Sequence, residues 1–197
     1  MAEKSGVIVE ACAALKSGGR DNAISLLKRD YPFVPQPATK RQYGPVESTR
    51  VFVHDGFIDQ YTSERLIFPP VLRVISAEIP VEFPYHPNWK TDATHPAYWE
   101  AGATVDHLIP VSRGGADNDS NWVTTSMARN SAKGNWTIDE LGWSLQERGD
   151  FKDWDGLLQW FLDYTNDHPT LLESVLMRQW RNAAMLAVAR HPTQAGE

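Results

Sequence analysis

The chain has 197 residues, 42% hydrophobic and 22% charged, with 19 basic and 25 acidic side chains and a net charge of −6 at pH 7. These values exclude wholesale disorder and low-complexity fibre, and the single cysteine, Cys12, excludes a disulfide scaffold and a cysteine-based zinc finger. No run approaches the roughly 18 apolar residues of a membrane span, and the acidic balance leaves nucleic-acid binding to a local basic face or a metal ion.

The length suits one compact domain, or one domain with a helical extension. The opening Met-Ala-Glu-Lys-Ser lacks the basic flank and apolar centre of a secretory signal, so the cytoplasm is the expected location. Residues 6–30 read as a helical hairpin. Its first helix runs from Val7 to Lys16, apolar at Val7, Ile8, Ala11 and Leu15, with Cys12 expected in the core. Gly18-Gly19 breaks it, and a second helix follows from Arg20 to Arg29. Residues 31–50 hold Pro32, Pro35, Pro37, Gly44 and Pro45 with the basic Lys40, Arg41 and Arg50, which reads as an extended, solvated linker, with a basic arm along a phosphate backbone as the alternative.

Val51 to Val53 is expected as a short strand and His54-Asp55-Gly56 as a turn. Leu66 to Phe68 is a second strand candidate, ended by Pro69-Pro70. Val71 to Ile79 carries Leu72, Ile75 and Ile79 at helical spacing. The prolines at 80, 84, 87 and 96 forbid regular structure through 80–99, where aromatic rings predict an ordered loop. Within it, His86 and His95 are expected to hydrogen-bond the loop to itself; lining a groove or binding a second metal is the alternative. The eight tryptophans, Trp89 to Trp180, are expected mostly as core or domain-interface anchors.

Thr104 to Pro110 is an apolar strand interrupted by Asp106-His107. Arg113-Gly114-Gly115 is a turn, Trp122 to Thr125 a returning strand, and Met127 to Lys133 a helix. Beyond that the pattern is helical. Thr137 and Glu140 form a capping-box pattern, and Phe151, Trp154, Leu158, Phe161 and Leu162 make one apolar face. Leu172, Val175, Leu176, Trp180, Ala183, Ala184 and Ala187 make another, and His191-Pro192 is the expected stop.

The segment from 104 to 136 carries the chemistry. Asp106 is a hard anionic oxygen donor, and Asn130 offers a neutral amide oxygen. Two protein oxygens are too few to cage a structural ion, but they suit Mg²⁺, which keeps waters and takes phosphate oxygens. An imidazole beside them, His107, can take a proton near neutral pH. Lys133, three residues after Asn130 and so on the same helix face, can neutralise a phosphate. Arg129 and Arg113 are further candidates for phosphate contact. Asn121 stands at the start of the return strand, where its amide can bridge the turn backbone. Together these groups equip a chain for metal-assisted phosphodiester hydrolysis.

The pattern Asp106-His107, Gly114-Gly115, Asn121, Asn130, Lys133 resembles the HNH nuclease motif, the ββα-metal fold. The likeness covers roughly residues 51–136 and is tight over 104–136. It implies Asp106 and Asn130 as metal ligands, His107 as the general base, Asn121 as the middle residue supporting the loop, and Lys133 as the basic residue one turn on. It implies DNA as substrate and products with a 5′-phosphate and a 3′-hydroxyl. Many members pin this motif with a four-cysteine zinc site, which one cysteine cannot build; no structural zinc is expected, and stiffness must come from packing. Asparagine in place of histidine on the helix argues for Mg²⁺ or Mn²⁺ over Zn²⁺.

The expected architecture is α+β: an N-terminal helical hairpin and arm (1–50), a ββα-metal core (51–136) and a C-terminal helical region (137–197). The expected activity is metal-dependent DNA cleavage. The alternatives are a non-cleaving nucleic-acid module and a protein-interaction module on the same scaffold. One centre cuts one strand, so double-strand cleavage calls for a homodimer or two encounters. Restriction or phage defence, mobile-element and repair roles share this chemistry.

Overall fold

The computed structural model describes residues 3–33 and 43–190. The chain divides into two units, Met1–Ala38 and Thr39–Glu197. Pro35, Pro37, Lys40 and Arg41 of the expected arm, and the expected stop at His191-Pro192, lie outside the described residues.

The first unit is a hairpin of α1 (Lys4–Lys16) and α2 (Arg20–Asp30). Gly18 turns the chain at φ 76°, and the Gly19 N–H closes onto the Ala14 carbonyl at 2.8 Å. Its core is Ala11, Ala14 and Ala23, packed by Leu26 and Leu27. The buried stripe of α1 is therefore Val7, Ala11 and Ala14, at i, i+4 and i+7. Ile8, Cys12 and Leu15, expected inside, are exposed. Alanines let two backbones approach closely, and that contact sets the helix rotation against the larger side chains one position on.

The second unit mixes helices with one small sheet. Its elements are α3 (Pro45–His54), α4 (Pro69–Glu78), α5 (Ala97–Glu100), β1 (Ala103–His107), β2 (Trp122–Ser126), α6 (Met127–Lys133), α7 (Ile138–Leu141), α8 (Leu158–Asp167) and α9 (Val175–Arg190). The strands pair antiparallel, with Asp106 opposite Val123 and His107 opposite Trp122. Among the described residues no helix is long and apolar enough to cross a membrane.

Val51 to Val53, expected as a strand, belong to α3. The helix starts where Pro45 fits the first position and Glu47 accepts the Gly44 N–H at 2.8 Å. The three residues are buried, and α3 lies against α9, β1 and β2. Packing thus overrides the strand preference of two valines. Leu66 to Phe68 is extended but joins only an isolated bridge, Ile67 to Gly102. Helix α4 takes up the expected Val71–Ile79 segment but starts two residues earlier and ends one short, leaving Ile79 outside it.

The core of this unit is aromatic. Phe57 meets Phe68 edge-on at 6.0 Å, and Phe68 meets Phe161 at 5.6 Å, contacts worth about 0.5–1.5 kcal/mol each beyond area burial. From α9 it receives Met177, Ala184 and Ala187, whereas Val175 and Leu176 are exposed. Of the tryptophans, Trp122 is buried, and Trp136 and Trp160 are exposed.

Two buried acids from the turn after α3 hold the sheet. Asp59 accepts the Ser126 N–H at 2.9 Å, the Tyr61 N–H at 2.9 Å and the Thr125 hydroxyl. Asp55 accepts the Thr124 N–H at 2.8 Å and Arg148 at 3.0 Å. These bonds satisfy outward-facing groups of β2 and its end, and they stiffen the strand.

Candidate active site

The site lies where β1 ends. A loop of fourteen residues, 108–121, returns the chain to β2, and one side chain shapes it. Asn121 accepts the Ile109 N–H at 2.9 Å and donates to the carbonyls of Ile109 and Ala116, each at 2.8 Å. The turn beneath needs glycine. A Cβ on Gly115 would stand 1.9 Å from the Ile109 oxygen and 2.8 Å from the Asn121 amide nitrogen. The preceding Gly114 sits at φ 88°, a left-handed conformation that favours glycine.

Asp106 is buried and meets three donors. Its Oδ1 accepts the His107 N–H at 2.8 Å, and its Oδ2 accepts the Tyr61 hydroxyl at 2.7 Å. The Lys133 ammonium is 3.1 Å from the same Oδ2. Burial first, then the charge of Asp106, pushes the Tyr61 phenol far above its ordinary range, so it remains a donor. Tyr61 is itself held against Trp143, with ring centroids 5.3 Å apart.

His107 reaches Asp117, with Nε2 at 2.8 Å from Oδ1. The Trp122 indole N–H stands 3.1 Å from the same oxygen and 3.0 Å from Nε2. A carboxylate only accepts and an indole only donates. The arrangement that satisfies all three has both rings donating to Asp117. Nε2 then carries the hydrogen and Nδ1 is the basic nitrogen. The His107 and Asp117 side chains are 9% and 8% exposed, so this pairing is shielded from water. Tyr43 flanks both rings, its centroid 5.9 Å from that of the His107 imidazole and 5.6 Å from that of the Trp122 indole.

Asn130 stands on α6 and donates its amide N–H to the Val105 carbonyl at 3.2 Å. That bond fixes the amide plane and leaves its oxygen for another partner. A cavity of about 200 Å³ gathers Asp106, His107, Asp117, Asn130 and Lys133, with Ser112 and Asn135 at its rim.

The basic candidates separate. Lys133 is fully buried, and its ammonium donates to the His107 carbonyl at 2.6 Å besides meeting Asp106. It braces β1 onto α6 from beneath the cavity. Arg113 is exposed and pairs with Glu140 across the loop, at 3.0 Å through Nη2. Glu140 also closes the capping box of α7 by accepting the Thr137 N–H. Arg129 is exposed at the start of α6, on a polar surface with Arg65 and Ser126 outside the 200 Å³ cavity. His86 Nδ1 accepts the Asn88 N–H, and His95 Nδ1 accepts the Ala97 N–H while its ring stacks on Phe83 at 4.0 Å. Both therefore tie the aromatic loop to itself.

No protein-family model matches this chain, and neither does any curated protein or any solved structure.

Asp117 and Tyr61 are absent from the expected site. An acid two residues beyond a glycine turn, inside a loop that leaves and rejoins one hairpin, was the available signal for Asp117. Tyr61 lies 45 positions from Asp106, and no local pattern announces it. Among the described residues no group of three or more His, Cys, Asp or Glu side chains is placed to hold a metal. An ion at Asp106 and Asn130 would take one carboxylate and one amide oxygen. That mixed, hard, sparse donor set fits Mg²⁺ or Mn²⁺ completed by water and phosphate.

Proposed function

We propose that the chain is a metal-dependent endonuclease of the HNH type, with β1, β2 and α6 as a ββα-metal core, acting on DNA. The observation that carries this reading is the 200 Å³ cavity, which draws a carboxylate, an imidazole and an amide to one place. Asp106 and Asn130 would hold Mg²⁺ or Mn²⁺, which when bound would neutralise phosphate charge and stabilise the leaving 3′-oxygen. His107 takes a proton at Nδ1 from an attacking water, while Asp117 and Trp122 hold its ring. Tyr61 and Lys133 keep Asp106 in place, and Lys133 adds positive charge below the scissile phosphate. Arg129, free on the outer surface, is the residue assigned to a backbone phosphate. The products are a 5′-phosphate and a 3′-hydroxyl.

One observation favours a second reading, a nucleic-acid module that does not cleave. Tyr61, Lys133 and the His107 N–H already engage both Asp106 oxygens, so an ion must compete with the ammonium there. Supercoiled plasmid decides, incubated with Mg²⁺, Mn²⁺ or EDTA and with wild type or His107→Ala. Nicked or linear product that needs both the metal and His107 supports the nuclease. A mobility shift that weakens with salt, without cleavage in any metal, supports the module.

A further inference from the structure

The N-terminal hairpin buries very little of itself. Its core is Ala11, Ala14 and Ala23, with Leu26 and Leu27 against them, and its helices are 13 and 11 residues long. Helices of that length are marginal unless an apolar face is packed, and three alanine side chains supply little burial. The larger apolar side chains lie one position further on. Ile8, Cys12 and Leu15 follow the buried Val7, Ala11 and Ala14, and Ile24 follows the buried Ala23. Ile8 is 45% exposed, Leu15 55% and Ile24 40%, and Cys12 is exposed as well.

Helix geometry puts these four on one side. One residue is a step of about 100° round an α-helix, at 3.6 residues per turn. Two antiparallel helices that face each other wind in opposite senses, so the same step on each turns to the same side of the hairpin. A contact between the helices agrees. Lys4, one turn before Ile8, lies over the ring of Tyr31, which follows α2, at 5.7 Å. The hairpin therefore carries an apolar face built by both helices and left exposed.

The charges on this face choose its occupant. On α2, Asp21, Ile24 and Lys28 stand at i, i+3 and i+7, so an acid and a base flank Ile24 along one line. Neither has an opposite charge three or four positions away between them, where Ile24 and Ser25 stand. They are about 10 Å apart along the axis, at 1.5 Å per residue, too far to pair with each other. Laid antiparallel on a copy of itself, the line matches: each Asp21 meets a Lys28, and Ile24 meets Ile24. The line on α1, Ile8-Cys12-Leu15, is apolar in either direction. Cys12 and Ser25 are equally far from the Gly18-Gly19 turn, so the midpoint of the Asp21–Lys28 line is level with Cys12. Net charge points the same way. Residues 1–38 hold five basic and four acidic side chains, which leaves 14 basic and 21 acidic to residues 39–197. Two bodies at −7 each repel one another, whereas two nearly neutral hairpins meet at little cost.

We infer that two copies of the chain associate through this face, α1 on the partner's α1 and α2 on the partner's α2, each pair antiparallel about a two-fold axis that passes near Cys12 and Ile24. The contact is isologous and completes a four-helix bundle. It rests on the hairpin and not on the nuclease reading; under that reading the pair carries two centres, one for each strand of a duplex. The face is about 20 Å long, at 1.5 Å per residue over α1, so association depends on concentration.

The test is sedimentation equilibrium of the full chain across micromolar concentrations, in EDTA, reductant and low salt, without nucleic acid. The wild type is expected to approach twice its 22.2 kDa mass as concentration rises. Ile24→Asp, which sets two acids face to face, is expected to stay at 22.2 kDa with unchanged helical dichroism. Asp21→Lys and Lys28→Asp each alter two contacts in the pair, and each is expected to raise the dissociation constant at least tenfold. The double swap restores the matching line and is expected to recover wild-type association. If Ile24→Asp loses helicity, the charge swaps decide. A short bismaleimide, applied without reductant, is expected to join Cys12 to the partner's Cys12, since the chain has one cysteine. A monomer at every concentration overturns the inference, and slow maleimide labelling of Cys12 in that monomer gives the face to the chain's own body instead. A dimer that survives Ile24→Asp, or that the double swap fails to restore, overturns this interface. Plasmid cleavage by the same preparations shows separately whether the nuclease reading survives.

Discussion

Asp59 and Asp106 are buried acids that meet one small sheet, Asp59 from the turn after α3 and Asp106 within β1, and the difference between them lies in their partners. Asp59 is bonded to the backbone N–H groups of Tyr61 and Ser126 and to the Thr125 hydroxyl. It does the work of a missing strand neighbour. Asp106 is bonded mainly to side chains, Tyr61 and Lys133, and opens onto a polar cavity shared with His107 and Asn130. Burial alone therefore does not mark a reactive acid. A carboxylate that satisfies backbone holds the fold, and one that is set by side chains beside open space is available for chemistry.

The comparison breaks most sharply at the base. His107→Ala is expected to lower plasmid cleavage by about 10²–10⁴-fold, the usual contribution of a general base, with the far-ultraviolet dichroism unchanged. Cleavage retained at the wild-type rate would place Asp106 with Asp59 among structural acids. The converse variant is Asp59→Ala. It strands two backbone N–H groups, at about 1–3 kcal/mol for each buried donor left unpaired. Urea unfolding is expected to show a lowered midpoint, and any remaining folded protein should still cleave.

Asp117 sharpens the contrast, because it meets the His107 imidazole and the Trp122 indole through one oxygen. Asp117→Asn is expected to reduce kcat by about 10–100-fold, the scale of losing a group that orients a site, with KM unchanged and Asp117→Glu recovering part of the rate. Equal loss in both variants, with a lower melting temperature, would make Asp117 a loop brace. The smallest effect belongs to an exposed acid. The bond from Arg113, and then the Thr137 N–H, draw the Glu140 carboxyl down from 4.5 to about 2. A depressed carboxyl stabilises the folded state above its unfolded value, and that contribution fades as pH falls from about 4.5 through 2. Glu140→Gln is thus expected to lower the melting temperature slightly at pH 6 in low salt, with the gap closing towards pH 2. Screening by water and salt keeps it small.

Much of the candidate site was legible because its parts lie within 28 residues, Asp106 to Lys133 at the end of α6. At that range, spacing decides hydrogen bonding: Asn121 meets Ile109 twelve positions away, and Gly115 leaves room that any Cβ would fill. The basic residues were less legible. Lys133, Arg129 and Arg113 share a charge, but one is buried under the site, one is exposed, and one is tied to Glu140. The sequence pattern carries no depth information for a lysine three residues after an asparagine.

By itself, then, the sequence determined the β1–loop–β2–α6 order, the turn that needs Gly115 and the helices α7, α8 and α9, but not the non-helical stretch 142–157 between them, where Phe151 and Trp154 were expected on a helix face. These depend on local backbone chemistry and short loops. The tertiary structure decided that Val51 to Val53 coil into α3, that Tyr61 reaches Asp106, that Lys133 turns inward, and that Ile8, Cys12 and Leu15 face out of the hairpin. Those outcomes depend on which element covers which face, and burial energy between distant segments outweighs the local preference of any one of them.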